Sequence, residues 1–214
     1  MAKVKDGYKD KTRQELMDKA PARAKAKLRE KYKGLSRQEL LDKAFQIGFD
    51  TEKTSGSCSQ AVLYTLYELV DLPEVMVRVA SSSCGGQASR VQGTCGALIG
   101  GTMVMDYFFG RPTEHVSHRI DNPVAREDVW YGLAMARLLN DFFIKEWGTI
   151  ICPQLQEQVL GRCYTFWNPD NLDEFFKAGS VSEPGKCSHI VGSAARRVME
   201  ILLDKGVIED APKA

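Results

Sequence analysis

A chain of 214 residues, 43% hydrophobic and 27% charged, has the composition of a globular protein and enough length to bury a core without disulfide staples. No run of 18 apolar residues occurs, so no transmembrane helix is expected, and the start "MAKVKDGYKD" lacks the apolar stretch of a signal peptide. The net charge of +1 hides an asymmetry: residues 1–34 hold 12 Lys and Arg against 5 Asp and Glu, and the remainder holds 17 against 23. Such a basic segment can bind nucleic acid or an anionic surface, but packing on the acidic remainder of its own chain is the plainer expectation. A cytoplasmic setting is therefore expected, although a chain whose signal has been cut away would look the same. In a reducing compartment, six cysteines are expected to be ligands or redox thiols rather than three structural disulfides.

In chain order, "TRQELMDKA" at 12–20 and "SRQELLDKA" at 36–44 are near copies. Each places Thr or Ser three residues before Glu, the capping box of a helix start. The first copy continues into "PARAKAKLREKYKG", helix-forming in composition, with Pro21 as a break. A basic N-terminal helical arm over residues 1–34 is therefore expected, followed by a body over 35–214. From Leu35 the period is helical. Leu40, Leu41, Ala44, Phe45 and Ile47 share one face, and Ala61, Val62, Thr65, Leu66 and Leu69 share another. "ALIGGTMVMDYFFG" is apolar all round and reads as a buried central helix. Residues 124–147 predict a long amphipathic helix with Val129, Leu133, Ala136, Leu139 and Phe143 toward the core. "PQLQEQVLG" predicts a short helix and "SHIVGSAARRVMEILLDKG" a closing one. The connection over 164–186 is too long for an idle loop, and Asp173–Ala178 within it predicts a helical turn. No alternating strand pattern is present, so the expected fold is all-α, a compact helical bundle.

Four of the six cysteines fall at predicted helix starts: Cys58 in "SGSCSQAV", Cys95 in "GTCGALIGG", Cys152 before Pro153, and Cys187 in "PGKCSHIV". A helix start carries unpaired N–H groups and a partial positive charge, which favour a thiolate and hence metal ligation or nucleophilic attack. Four thiolates are the usual ligand complement of an iron–sulfur cluster. Their wide spacing matches neither a ferredoxin run nor a zinc CxxC pair. The bland reading of each, alone, is a small buried hydrophobe. Cys84, in the loop "SSSCGGQASR", is a candidate extra ligand or resolving thiol, and Cys163 after a helix end is expected to be structural. Gly93 and Gly96 are candidates for close backbone approach to a cofactor, and Arg90 for balancing an anionic one. His115 and His118 form a His-x-x-His pair in a polar loop without a carboxylate pattern. No CxxCH occurs, so covalent c-type haem attachment is not expected.

These residues resemble the redox-active protein family named for its C…GCAxxG…C…C pattern. The likeness runs through "SCSQAVLYTLYE", "RVASSSCGGQASR", "CGALIG", "FIKEWGTIICPQL" and "KCSHIVGSAARRVMEIL", over roughly residues 40–205. In "CGALIG" the Cys and Gly stand in the opposite order from the family's name. The resemblance implies a redox role carried by Cys58, Cys95, Cys152 and Cys187. The chain is also similar to the cysteine-bearing domain of split-Soret cytochromes c, without its haem motif, which implies an iron–sulfur cluster and a homodimer. The expected function is electron transfer through a cluster, [2Fe–2S] ahead of [4Fe–4S], with an electron-transfer partner protein and neither membrane nor nucleic acid as partner. A thiol–disulfide oxidoreductase and a structural zinc module for protein interaction are the alternatives.

Overall fold

Two capping boxes open the first two helices, α1 (Arg13–Lys19) and α2 (Arg37–Ser55). In the computed structural model, which describes residues 11–118 and 122–212, the Glu15 and Glu39 carboxylates accept the backbone N–H of Thr12 and Ser36, each at 2.7 Å. Residues 1–10 of the expected arm lie outside the described residues. Seven further helices follow: α3 (Cys58–Leu69), α4 (Glu74–Val79), α5 (Gly96–Phe109), α6 (Pro123–Trp147), α7 (Cys152–Leu160), α8 (Pro169–Lys177) and α9 (Cys187–Asp204). Among the described residues β pairing is limited to three isolated bridges, so the fold is all-α. None of these helices is long and apolar enough to cross a membrane.

The arm departs from the helix expected of "PARAKAKLREKYKG". Pro21 disfavours helical geometry at Ala20, whose ψ is 114°, and the chain then runs extended to a short 3-10 turn at Glu30–Tyr32. The extended backbone is laced to the body: Arg23 N–H donates to Phe108 O at 2.7 Å, Ala26 N–H to Val207 O at 2.9 Å and Arg29 N–H to Leu69 O at 2.9 Å. Leu16, Met17, Ala26 and Leu28 are buried in the main core. Positive charges on the arm meet the acidic body through Lys11–Glu127, Arg13–Asp141, Arg23–Asp128 and Lys31–Glu68. The described part of the arm thus packs on its own chain, α1 as the expected helix and the stretch after Pro21 as an extended strap.

The core is built where α2 lies along α9 and α3 along α5, with α6 closing the far side of α5. Small residues permit this closeness. A Cβ at Gly100 would collide with the Ser59 carbonyl, so α5 and α3 touch backbone to backbone. On α6 the buried stripe is Ala125, Asp128, Gly132, Met135, Leu139 and Phe143, with Ala134 and Ala136 beside it. Leu133, expected inward, is 52% exposed. The stripe runs through a glycine, and a reading weighted to bulky residues rotates the face away from it. The long 164–186 connection contains α8, longer than the expected turn, with Asn168 as its cap. Around Tyr164, Phe175 and Val181 it forms a small core of its own.

Leu133→Lys is therefore expected to change stability by less than about 0.5 kcal/mol, whereas Leu139→Ala costs about 2–5 kcal/mol. Denaturant unfolding of the two variants beside the parent measures the difference.

Candidate functional site

Helix starts need partners for their free N–H groups, and the way each start is capped sorts the helices of this chain. Side-chain oxygens cap α1, α2, α6 and α8, through Thr12, Ser36, Asn122 and Asn168. No side-chain oxygen caps α3, α4, α5, α7 or α9; apart from the six-residue α4, which follows Pro73, these are the helices that begin at a cysteine. Cys58, Cys152 and Cys187 are the first residues of α3, α7 and α9, and Cys95 occupies the N-cap of α5.

The tertiary structure brings all four to one place. Cys58, Cys95, Cys152 and Cys187 line one partly open cavity of about 50 Å3, together with Glu52, Gly85, Gln156, Phe166 and Phe175 among others. The start of α5 and the start of α7 are tied together: Cys95 N–H donates to Ile150 O at 2.8 Å, and Cys152 N–H donates to Gly93 O at 2.9 Å. Gly93 thus serves as a backbone partner for Cys152 and does not itself line the cavity. Cys187 is fixed by its N–H to Ser180 O, 2.9 Å. At Gly96 a Cβ would collide with Cys58 Sγ, so only glycine lets α5 start this close to the α3 sulfur.

Several N–H groups point at sulfur. Gly85 N–H faces Cys58, and the N–H groups of Ala97 and Leu98 face Cys95. Gln156 Nε2, one turn after Cys152 on the same face of α7, donates to its Sγ at 3.6 Å. Ahead of Cys95, residues 85–89 all have positive φ, a left-handed turn that includes Gln87, Ala88 and Ser89. Side chains pay roughly 1–2 kcal/mol each for that conformation. The turn is held by Phe166, packed where a Gly85 side chain would stand, and by Trp167 Nε1 donating to Ala88 O at 3.1 Å.

Sequence reasoning expected the helix starts to lower the thiol pKa values; the structure reverses this. Burial pushes Cys95 up to about 12 and Cys152 up to about 11, and raises Cys58 and Cys187 well above the ordinary thiol value. The neighbouring thiols and the Glu52 carboxyl add to the rise at Cys58 and Cys187. Without a compensating positive charge the four are neutral thiols at pH 7. Removal of solvent outweighs the N–H groups because no lysine or arginine lines the cavity among the described residues.

The remaining candidates lie outside the cavity lining. Cys84 is partly exposed, its Sγ 3.7 Å from Ser81 O, although its backbone packs against Gly96. Arg90 is exposed and borders an outer groove with Gln92, Thr165 and Trp167. Cys163 is partly exposed just beyond α7. His115 Nδ1 is 2.6 Å from Asp128 Oδ2, in a cluster with Arg23; the side chain of His118 is outside the described residues. Among the described residues, no three or more His, Cys, Asp or Glu side chains are grouped so as to hold a single metal ion.

Sequence reasoning missed Glu52 and Gln156. Glu52 is 4% exposed, and its Oε2 has no hydrogen-bond partner. A signal was present: Leu41, Ala44, Gly48 and Glu52 recur every three or four residues, so Glu52 continues the buried face of α2. Burial raises its carboxyl to about 8.

An all-α chain with four cysteines at uncapped helix starts around one cavity, Cys95 and Cys152 buried and Cys58 and Cys187 partly so, is the kind of protein these features define. It belongs to the family described as "Putative redox-active protein (C_GCAxxG_C_C)", whose model matches residues 57–201, and membership makes it a redox-active protein. No curated protein and no solved structure matches the chain.

The raised Glu52 has a consequence for stability. In the unfolded chain the carboxyl ionises near the ordinary 4.5, but in the folded metal-free protein it holds its proton to about 8. The folded state thus binds the extra proton between these values, and stability falls as pH rises from about 4.5 to about 8. Urea unfolding of the metal-free protein across that window is expected to show a loss of a few kcal/mol, and Glu52→Gln to flatten the profile.

Proposed function

We propose that this chain is an electron-transfer protein whose Cys58, Cys95, Cys152 and Cys187 hold an iron–sulfur cluster, [2Fe–2S] in preference to [4Fe–4S]. One observation carries the reading: four thiols, each at a helix start without an oxygen cap, surround one cavity. A bound cluster supplies one-electron chemistry, and its irons supply the positive charge under which buried thiols lose their protons. Thiols spread around a cavity suit a centre of several atoms better than one zinc ion. The N–H groups of Gly85, Ala97 and Leu98 and the Gln156 amide are placed to donate to cluster-bound sulfur, which raises a reduction potential. Phe166 and Phe175 give the cavity an aromatic wall. An electron-transfer partner protein and a reducing, cytoplasmic setting go with this reading.

The oxidoreductase alternative needs a thiolate nucleophile near neutral pH. Thiols raised to about 11 and about 12 at Cys152 and Cys95 weigh against it.

Protein purified without oxygen is expected to be brown, with visible absorbance that bleaches on reduction and about two irons and two sulfides per chain. Changing any of Cys58, Cys95, Cys152 or Cys187 to Ser is expected to lower bound iron about tenfold or more. Cys163→Ser is expected to leave it unchanged. Colourless protein that cycles between dithiol and disulfide would support the oxidoreductase, and bound zinc with no redox wave the structural module.

A further inference from the structure

Outside the cysteine cavity, the long connection carries aromatic residues that the four-cysteine reading leaves unexplained. Trp167 is 79% exposed and Phe176 is 46% exposed. With Phe166, Leu172 and Phe175 they line an open groove of about 330 Å3. Exposed apolar residues scattered singly are ordinary, but a contiguous concave patch of them marks a binding surface. The indole is also fixed in place, because Trp167 Nε1 donates to Ala88 O at 3.1 Å on the left-handed turn. A ring that is held but left uncovered is suited to stack on another flat ring.

The neighbours of this groove narrow its occupant. On its inner side Gly56, Phe166 and Phe175 also line the cysteine cavity, so the two sites share a wall. On its outer side Ser89 and Trp167 also line a polar groove of about 320 Å3, together with Arg90, Gln92 and Thr165. Among the described residues no carboxylate pairs with the Arg90 guanidinium, whereas Arg162 pairs with Glu174. An uncommitted guanidinium suits a phosphate. Ser89, a non-glycine residue with a φ of 57°, sits where the two grooves meet, and such strain concentrates at functional sites.

We propose that the joined grooves bind a flavin mononucleotide, its flat isoalloxazine ring on Trp167 beside Phe176 and its phosphate at Arg90. The aromatic bed selects a planar ring, and Arg90 selects an anionic tail. The shared wall selects a redox-active ring, since Phe166 and Phe175 set it next to the thiols of a redox-active protein. The site goes beyond the cluster reading and does not rest on it.

The test titrates the full chain, purified without oxygen, with flavin mononucleotide by calorimetry, and then with riboflavin, which lacks the phosphate. The parent is expected to bind flavin mononucleotide with a micromolar Kd and riboflavin about tenfold more weakly. Trp167→Ala is expected to weaken both about tenfold, and Trp167→Phe, which keeps a ring, to restore most of the affinity. Arg90→Ala is expected to weaken flavin mononucleotide about tenfold and to leave riboflavin unchanged. Both positions are exposed, and far-ultraviolet circular dichroism checks that the variants fold as the parent does. A parent that does not bind flavin mononucleotide overturns the proposal, as does binding that neither Trp167→Ala nor Arg90→Ala weakens. A parent that binds no flavin but sediments as a dimer, dissociated by Trp167→Ala, overturns it in favour of a contact between copies of this chain. None of these readouts needs iron in the protein, so failure of this site and failure of the cluster reading are told apart.

Discussion

Two opposed effects act on each cysteine of the cavity. A helix start stabilises negative charge on sulfur, and transfer of that sulfur from water into an apolar enclosure penalises the same charge. Here burial wins, and it wins at all four positions, because the cavity holds a carboxyl and no cation among the described residues. Positive charge from outside the protein reverses the balance. The missing oxygen caps on α3, α5, α7 and α9 belong to the same arrangement: even Ser57, the N-cap of α3, donates its hydroxyl to Gln60 Oε1 and leaves the N–H groups of that start without an oxygen cap.

Holding four helix starts around so small a volume requires support from segments that are not helical. The pairing of Thr94 with Ile151 joins the approaches to α5 and α7, so Cys95 and Cys152 are placed by a common backbone ladder. The left-handed turn at 85–89 brings the Gly85 N–H to Cys58, and Phe166 from the long connection packs against it. Strain of this kind persists only where surrounding contacts over-determine it, and it concentrates at functional sites. The connection over 164–186 supplies both the clamp and the aromatic wall, which is why its length is not idle.

Much of this was legible from residue order alone. The helix starts were, because Pro153 after Cys152 and the small residues after Cys95 are local signals read within a few positions. The capping boxes at Thr12 and Ser36 were legible for the same reason. The strap after Pro21 was not: its residues have good helix propensity, and only hydrogen bonds to Phe108, Leu69 and Val207 draw it straight. Leu133 was misplaced because a buried stripe that runs through Ala125, Asp128 and Gly132 gives weak hydrophobic contrast. Glu52 stood in plain view as one more charged residue near a helix end.

What the sequence by itself determined is most of the helices, though not α4 or the full length of α8, the cysteine at the head of four of them, and the family, since each is encoded in short-range pattern. The tertiary structure decided the rest: that these four starts share one cavity, that Cys84 and Arg90 do not line it, and that Glu52 does. It also decided the protonation of the thiols. Desolvation depends on everything that surrounds a group, and residues brought together from α2, α3, α5, α7 and α9 form an enclosure that no local stretch of the chain describes.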